Sequence, residues 1–309
     1  MKIVIIMTAV IISIPFLIVN NWEEDNSSKL SEVELEYLKD INVRVKRSNG
    51  VIDNIPLEEY VIGVVSGEMP ASFEIEALKA QSVASRTYVL KKIYNNKDSD
   101  YDVVDTVNNQ VYLDLDILKD KWGEKYELYI NKVRQAVNDT TYEYLEYDGE
   151  IIDAFYFSTS NGYTEDSGII FQKSLPYLKS VESNWDLKVS KAFYASTDMS
   201  LQEFYDRLGL EYSSSLDVDI LERSDSNRVI KLKINNVEFM GRDVYNKLGL
   251  RSYDFDFVLV GSNVKINTKG YGHGVGMSQY GAQGMAKEGY NYKEILGYYY
   301  IGTSLVSGI

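Results

Sequence analysis

The sequence predicts an α+β fold: mixed strands and helices around a cleft, preceded by one N-terminal transmembrane helix. Three observations predict it. Segments with period-2 alternation and segments with helical spacing follow one another irregularly, without the strand–helix–strand repeats that build a doubly wound sheet. One long helical pattern, rich in alanine, stands between residues 72 and 94, while the others are short. The first apolar run, Ile3–Val19, carries no charge.

That run is close to the roughly 20 residues needed to cross a bilayer. Lys2 before it and Glu23, Glu24 and Asp25 after it predict an N-in, C-out orientation. Its length, and Val19-Asn20-Asn21-Trp22 where a small-x-small cleavage site would stand, favour a retained anchor over a cleaved signal peptide. The expected organisation is an anchor over 1–20, a polar tether over 21–35 and one catalytic domain over 36–309. Ile41–Lys46 alternates as a half-buried strand, with Asn49-Gly50 as a hairpin turn. Leu57–Val65 reads as a helix that Gly67-Glu68-Met69-Pro70 interrupts. The long helix follows, with Ser72 as its N-cap and Glu74 and Glu76 in its first turn. Another helix is expected over Glu124–Val137, and a hairpin over Tyr144–Tyr147, Asp148-Gly149 and Ile151–Phe157. Strands are expected near Tyr177–Val181, Val218–Leu221, Val229–Ile234 and Phe257–Ile266. Short helices are expected at Leu201–Leu208, Arg242–Leu248, Met277–Ala286 and Tyr292–Tyr299. No internal repeat is evident.

Composition narrows the chemistry. A formal charge of −14, with no Lys/Arg stripe, argues against nucleic acid. The absence of cysteine removes thiolate nucleophiles and thiolate metal sites, and one histidine cannot build a multi-histidine zinc centre. Hydrolytic chemistry must then lean on carboxylates, and no cofactor or metal is expected.

Three segments break local folding rules, as functional sites tend to. Gly67–Ser72 sets Glu68 in a corner where partial burial would suit a general acid. Ser158-Thr159-Ser160-Asn161-Gly162-Tyr163-Thr164-Glu165 follows an apolar strand with hydroxyl and amide groups matched to a sugar. Gly270–Ala282 leads four alternating glycines and His273 into a helix; its spacing fits neither a dinucleotide fingerprint nor a phosphate-binding loop. Each has a plainer reading: an exposed loop glutamate, a polar turn, a structural histidine.

Taken together these segments resemble the SpoIID (stage II sporulation protein D) family. Gly67–Phe73 running into Glu76–Gln81 and Arg86-Thr87-Tyr88 is similar to its N-terminal signature, Ser158–Glu165 to its middle motif, Tyr177–Val181 to a following one, and Gly272–Ala282 to its C-terminal signature. The resemblance implies a lytic transglycosylase that cuts the β-1,4 bond between N-acetylmuramic acid and N-acetylglucosamine in peptide-stripped peptidoglycan. It implies an amidase partner (SpoIIP) and a membrane protein (SpoIIM) in forespore engulfment, with the catalytic domain outside the cytoplasm. It places the acid/base at Glu68 and gives supporting weight to Arg86 and Lys179. Ser160, Asn161, His273, Gln279 and Tyr280 complete the expected supporting set, and Arg86 reads equally as a glycan clamp or a buried ion pair. A single carboxylate suffices for such chemistry, whereas an ordinary glycosidase needs two; Glu165 and Glu76 are the other acids in reach. The competing reading is a non-catalytic glycan-binding module, or a scaffold in a membrane-anchored complex.

Overall fold

A computed structural model describes residues 27–29 and 38–307. The expected anchor over 1–20 lies outside the described residues; among those described, no helix is long and apolar enough to cross a membrane. The chain divides into two compact units. One runs through Phe155 and resumes at Met285, and the other is Tyr156–Gly284. The 36–309 stretch, read from sequence as one domain, includes parts of both units.

The first unit opens with β1 (Ser27–Lys29), a strand inside the stretch expected to be tether. β2 (Asn42–Lys46) buries Val43 and Val45 on one side, as its alternation requires. It turns through Gly50 at φ 86° into antiparallel β3 (Ile52–Pro56). α1 (Leu57–Glu68) follows without a loop and buries Tyr60, Val61, Val64 and Val65. It does not break at Gly67 but runs through it and ends on Glu68. Met69 turns to φ −122°, ψ 139°, the extended conformation that a following proline favours. α2 (Ile75–Asn95) begins three residues later than the sequence indicates. Ser72 is not its cap: residues 70–73 close a turn, Phe73 N–H to Pro70 O at 2.9 Å, and Glu74 takes the N-cap position. Alanines at 77, 80 and 84 let neighbouring elements pack closely, so α2 is buried on nearly every side.

β4 (Val103–Val104) joins β2 in parallel. α3 (Leu115–Trp122) was not foreseen, and a 3₁₀ turn separates it from α4 (Tyr126–Asn138). β5 (Tyr144–Tyr147) and β6 (Glu150–Ile151) form the expected hairpin, with Asp148 and Gly149 both at positive φ.

The second unit opens with β7 (Tyr156–Phe157), which pairs elsewhere instead of extending β6. α5 (Ser167–Phe171) and α6 (Trp185–Val189) are short. No strand forms over 177–181. The Thr164 side chain takes over part of the pairing there, accepting from Val181 N–H at 2.9 Å and donating to Lys179 O at 3.2 Å. β8 (Tyr194–Ser200), α7 (Leu201–Leu208), β9 (Val218–Arg223) and β10 (Val229–Ile234) come next. β11 (Val237–Met240), α8 (Gly241–Leu248), β12 (Asp254–Val260) and β13 (Asn263–Lys269) repeat that order. The strand expected over 257–266 is therefore a hairpin that turns at Gly261.

The repetition is present in sequence as well, so the expected absence of an internal repeat does not hold. Leu201-Gln-Glu-Phe-Tyr-Asp-Arg-Leu-Gly-Leu210 matches Gly241-Arg-Asp-Val-Tyr-Asn-Lys-Leu-Gly-Leu250 in its Tyr-x-x-Leu-Gly-Leu ending and in kind at Glu203/Asp243, Phe204/Val244 and Arg207/Lys247. Gly209 and Gly249 cap the two helices in the left-handed conformation. Leu210 and Leu250 each donate back to the tyrosine carbonyl, at 2.9 and 3.0 Å. The sheets are ordered β11-β10-β9 and β12-β13-β8, so each hairpin is completed by the strand that opens the other half. One apolar cluster, with Phe204, Leu208, Leu232, Val244, Phe255 and Ile266 among its members, fills the space between.

β14 (Met277–Ser278) pairs in parallel with β7, and α9 (Gln279–Lys287) follows. The chain then re-enters the first unit. α10 (Tyr292–Tyr299) opens with a capping box between Asn291 and Glu294, and β15 (Ser304–Ser307) lies between β1 and β5.

Candidate active site

Glu68 is the last residue of α1 and is half-buried. Its Oε1 accepts a hydrogen bond from the Val111 backbone amide at 2.7 Å. Two glycines on α1 make that bond possible. A Cβ on Gly67 would stand 2.4 Å from Val111 O, and one on Gly63 would stand 2.3 Å from the Tyr112 ring. With both side chains absent, residues 109–113 lie directly against the helix, and Leu113 N–H donates to Gly63 O at 3.3 Å. The same segment is pinned at each step. Asn109 Nδ2 donates to the Tyr88 hydroxyl at 3.2 Å, and Gln110 Oε1 accepts from the Tyr60 hydroxyl at 3.1 Å. Tyr112 stacks on Tyr60 with ring centroids 5.4 Å apart. Burial pushes the Tyr60 and Tyr88 phenols up, and the charge of Glu68 adds to both shifts. The site therefore holds one oriented carboxyl group beside two phenols that stay protonated.

Arg86 is fully buried. Its fork meets Glu58 at 2.8 and 2.6 Å and donates to Glu143 O at 3.0 Å. It ties α1 to the segment before β5, and its ion pair is with Glu58. Glu76 accepts from Tyr292 N–H at 2.9 Å and pairs with Lys79, a structural placement.

The remaining expected residues lie in the second unit. Ser160 is buried: its amide donates to Asp186 Oδ1 at 2.8 Å and its hydroxyl to Ser183 O at 2.7 Å. Asp186 also accepts from Ser278 and Ser183, at 2.5 and 2.7 Å, and its burial pushes the carboxyl up against those bonds. Asn161 donates to Ser226 O at 2.7 Å and to Asp254 Oδ2 at 2.9 Å. Lys179 pairs with Asp166 at 2.8 Å and donates to Ser174. Gln279 is buried, and Tyr280 is half-buried with its amide on Ser158 O at 3.0 Å. Glu165 is buried with its oxygens held by Asp166 N–H, Ser224 and Ser226, which leaves it no role as an exposed second acid.

His273 lies between Phe157 and Phe171, with ring centroids 5.8 and 5.4 Å away. Its Nδ1 accepts from Val275 N–H at 3.1 Å, and a second hydrogen bond reaches the Tyr156 backbone. Burial, and then the charge of Arg228, push its pKa down to about 4, so the ring is neutral at pH 7. Arg228 escaped the sequence reading. It is buried, donates to Ser226 at 2.7 Å and to Tyr163 O at 3.0 Å, and its Nε has no hydrogen-bond partner among the described residues. Its guanidinium occupies the space that a Cβ on Gly274 would need, 2.4–2.6 Å away. The alternating glycines thus serve close packing as well as positive φ: Gly270 and Gly272 press on the backbone and side chains of residues 157–161. The glycine density was the only sequence sign of such a neighbour. For residues 109–113, the sign was Gly63 and Gly67 one turn apart in the largely apolar latter part of the helix.

The family model for stage II sporulation protein (SpoIID) matches residues 46–147, which hold Glu68, Arg86 and the 109–113 segment. Stage II sporulation protein D of Bacillus subtilis (strain 168) is 43% identical over 265 residues, 84% of this chain and 77% of the relative. The protein of that name from Bacillus amyloliquefaciens is 43% identical over 271 residues, 86% of this chain and 78% of its own length. A B. subtilis protein named amidase enhancer is 30% identical over 79% of this chain and 40% of its own.

Proposed function

The chain belongs to the stage II sporulation protein D family, and from that premise we propose that it is a lytic transglycosylase acting on peptide-stripped peptidoglycan during sporulation. One observation carries the reading: a single half-buried carboxyl group, fixed by a backbone amide, at the end of α1. Protonated Glu68 gives its proton to the oxygen between N-acetylmuramic acid and N-acetylglucosamine as the C1–O bond breaks. The resulting carboxylate takes the proton of the muramic C6 hydroxyl, whose oxygen attacks C1. The products are a free N-acetylglucosamine 4-hydroxyl and a 1,6-anhydro end; no water enters and Glu68 is returned to its acid form. Tyr60 and Tyr88, held protonated, keep further negative charge away from the carboxylate.

The protein would work outside the cytoplasm, held to the membrane by residues 1–20, in the mother-cell membrane that engulfs the forespore. An amidase (SpoIIP) that strips stem peptides and the membrane protein SpoIIM would be its partners. The experiment is mass spectrometry of products from stripped glycan with wild-type and Glu68→Gln protein. Anhydro-muramyl ends from the wild type alone support the assignment; hydrolysed ends, or undiminished cleavage by the variant, overturn it. A second reading is favoured by the relative named amidase enhancer: a glycan-binding partner that stimulates an amidase and cuts nothing itself. Glycan retention without any cleavage would select it.

A further inference from the structure

We propose that the outer face of the β8–β13–β12 sheet is a second glycan-binding site, which lays an N-acetylated sugar against Tyr194. The choice of ligand rests on the glycan-cutting reading above; the existence of the site does not.

The three strands are in register, with Tyr194, Lys269 and Asp254 in one cross-strand row and Ser196, Asn267 and Asp256 in another on the same face. The opposite face, with Phe255, Val264 and Ile266, is committed to the apolar cluster. A sheet of this kind needs only a solvated outer face, but a cavity opens on this one. Arg223 and Asn227 rise beside it from the β9–β10 hairpin, and a cavity of about 470 Å³ lies between them and the strands, within the ~300–1,000 Å³ of typical ligand clefts.

The lining is already fixed in place. Asn267 Nδ2 donates to Asp256 at 2.7 Å, and its Oδ1 accepts from Ser196 at 3.0 Å. Arg223 donates to Asn227 O at 2.6 Å, Phe255 O at 3.1 Å and Asp254 at 3.3 Å. Asn227 is held in the left-handed conformation at φ 68°, with its amide on Asp254. Asp254 in turn holds Asn161 of the polar Ser158–Glu165 segment. Planar amide, guanidinium and carboxylate groups, fixed before binding, match pairs of neighbouring sugar hydroxyls. The Tyr194 ring is 63% exposed and braced edge-on by buried Phe193 at 4.8 Å. An exposed aromatic face, packed along one edge and set beside polar groups, suits the apolar face of a pyranose. Arg223 and Lys269 balance Asp254 and Asp256, so the cavity favours a neutral ligand over a phosphate polymer.

Full-length protein carrying Glu68→Gln is titrated with chitotetraose and with peptide-stripped glycan, alone and with Tyr194→Ala, Tyr194→Phe or Asn267→Ala added. Tyr194→Ala and Asn267→Ala should each weaken binding of both probes about tenfold, while Tyr194→Phe, which keeps the ring, should bind as the parent does. With Glu68 present, Tyr194→Ala should raise the half-saturating glycan concentration by about the same factor and leave kcat within about twofold, the mark of lost uniform binding. Unchanged chitotetraose affinity in both alanine variants overturns the site, as does weakening by Tyr194→Phe equal to that of Tyr194→Ala. Absence of cleavage in every protein removes the lyase reading alone, because the chitotetraose titration does not depend on turnover.

Discussion

A carboxylate at the carbonyl end of a helix opposes the helix dipole by about 0.3–1 kcal/mol, and the last turn of α1 holds no basic residue to offset it. Glu68 is thus retained where stability alone would disfavour it. Glu68→Gln should leave the thermal midpoint unchanged or slightly raised, because the amide oxygen still accepts from Val111 N–H. Removing the proton donor should lower strand cleavage by on the order of 10²–10⁴. Equal loss of stability and activity would mean that Glu68 is a structural residue. A second residue-scale expectation concerns the chain's one histidine, whose resonance can be followed without ambiguity. His273 has a folded pKa of about 4 against 6.5 for a free imidazole. Between pH 6.5 and about 4 the unfolded chain takes up a proton that the folded chain refuses. The stabilising contribution of neutral His273 is therefore full above about pH 6.5 and is lost as pH falls through that window. Arg228→Met removes a neighbouring positive charge, so the NMR titration midpoint of His273 should move upward, with Arg228→Lys moving it less. A midpoint that stays at the wild-type value in Arg228→Met would show that the guanidinium does not act on the ring.

Among elements, those with complete local signals were readable from sequence. α7 was expected over the span it occupies, because Ser200 caps it, an apolar stripe runs along it and Gly209 stops it. α10 has its capping box, and β10 its alternation between defined turns. Elements decided by distant partners were not. Residues 177–181 look like a strand, yet Thr164 claims their backbone groups. Met277–Ser278 looks like a helix start, yet it pairs with Tyr156–Phe157. The candidate site divides in the same way. Glu68 stood out through its glycine–proline corner, whereas the 109–113 segment that orients it comes from a stretch without regular structure. The fit of α1 to that segment predicts an asymmetry between its two glycines. Gly67→Ala would drive a Cβ to 2.4 Å from backbone at Val111 O, while Gly63→Ala meets chiefly the Tyr112 ring, with backbone at Leu113 O no nearer than 3.0 Å. Alanine gains about 0.8–1 kcal/mol of helix propensity in either place, and overpacking costs about 1–3 kcal/mol. Gly67→Ala should therefore lower the thermal midpoint and also cut activity by displacing the Val111 amide, with Gly63→Ala the milder of the two. The reverse order in thermal melts and cleavage assays would show that the segment yields more easily than the ring.

For the whole molecule, the two-unit division and the interlocked repeat were invisible to a reading by local pattern, although the Tyr-x-x-Leu-Gly-Leu ending was there to be aligned. The irregular succession of strand-like and helix-like segments did anticipate the broad class, since both units mix helices with mainly antiparallel sheet and neither is doubly wound. The repeat has a thermodynamic consequence. If each half of residues 194–269 made its own sheet, a lesion in one half would loosen that half alone. Here β8 belongs to the sheet of the second hairpin and β11 to that of the first, and α7 and α8 share one apolar cluster. Neither half has a complete sheet or a closed core without the other, so the two must open together. Leu248→Ala, at a position 3% exposed, should cost about 2–5 kcal/mol. Native-state hydrogen exchange should then show the slowest amides of β8–β13–β12 and of β9–β10–β11 losing protection by the same amount. Loss confined to the β9–β10–β11 sheet and α8 would mean that the two sheets open separately, although each borrows a strand from the other half. Equal loss in both sheets would make the whole 194–269 region a single cooperative platform, and the arrangement of Tyr194, Arg223 and Asn267 across its two sheets would then be held by the core beneath it.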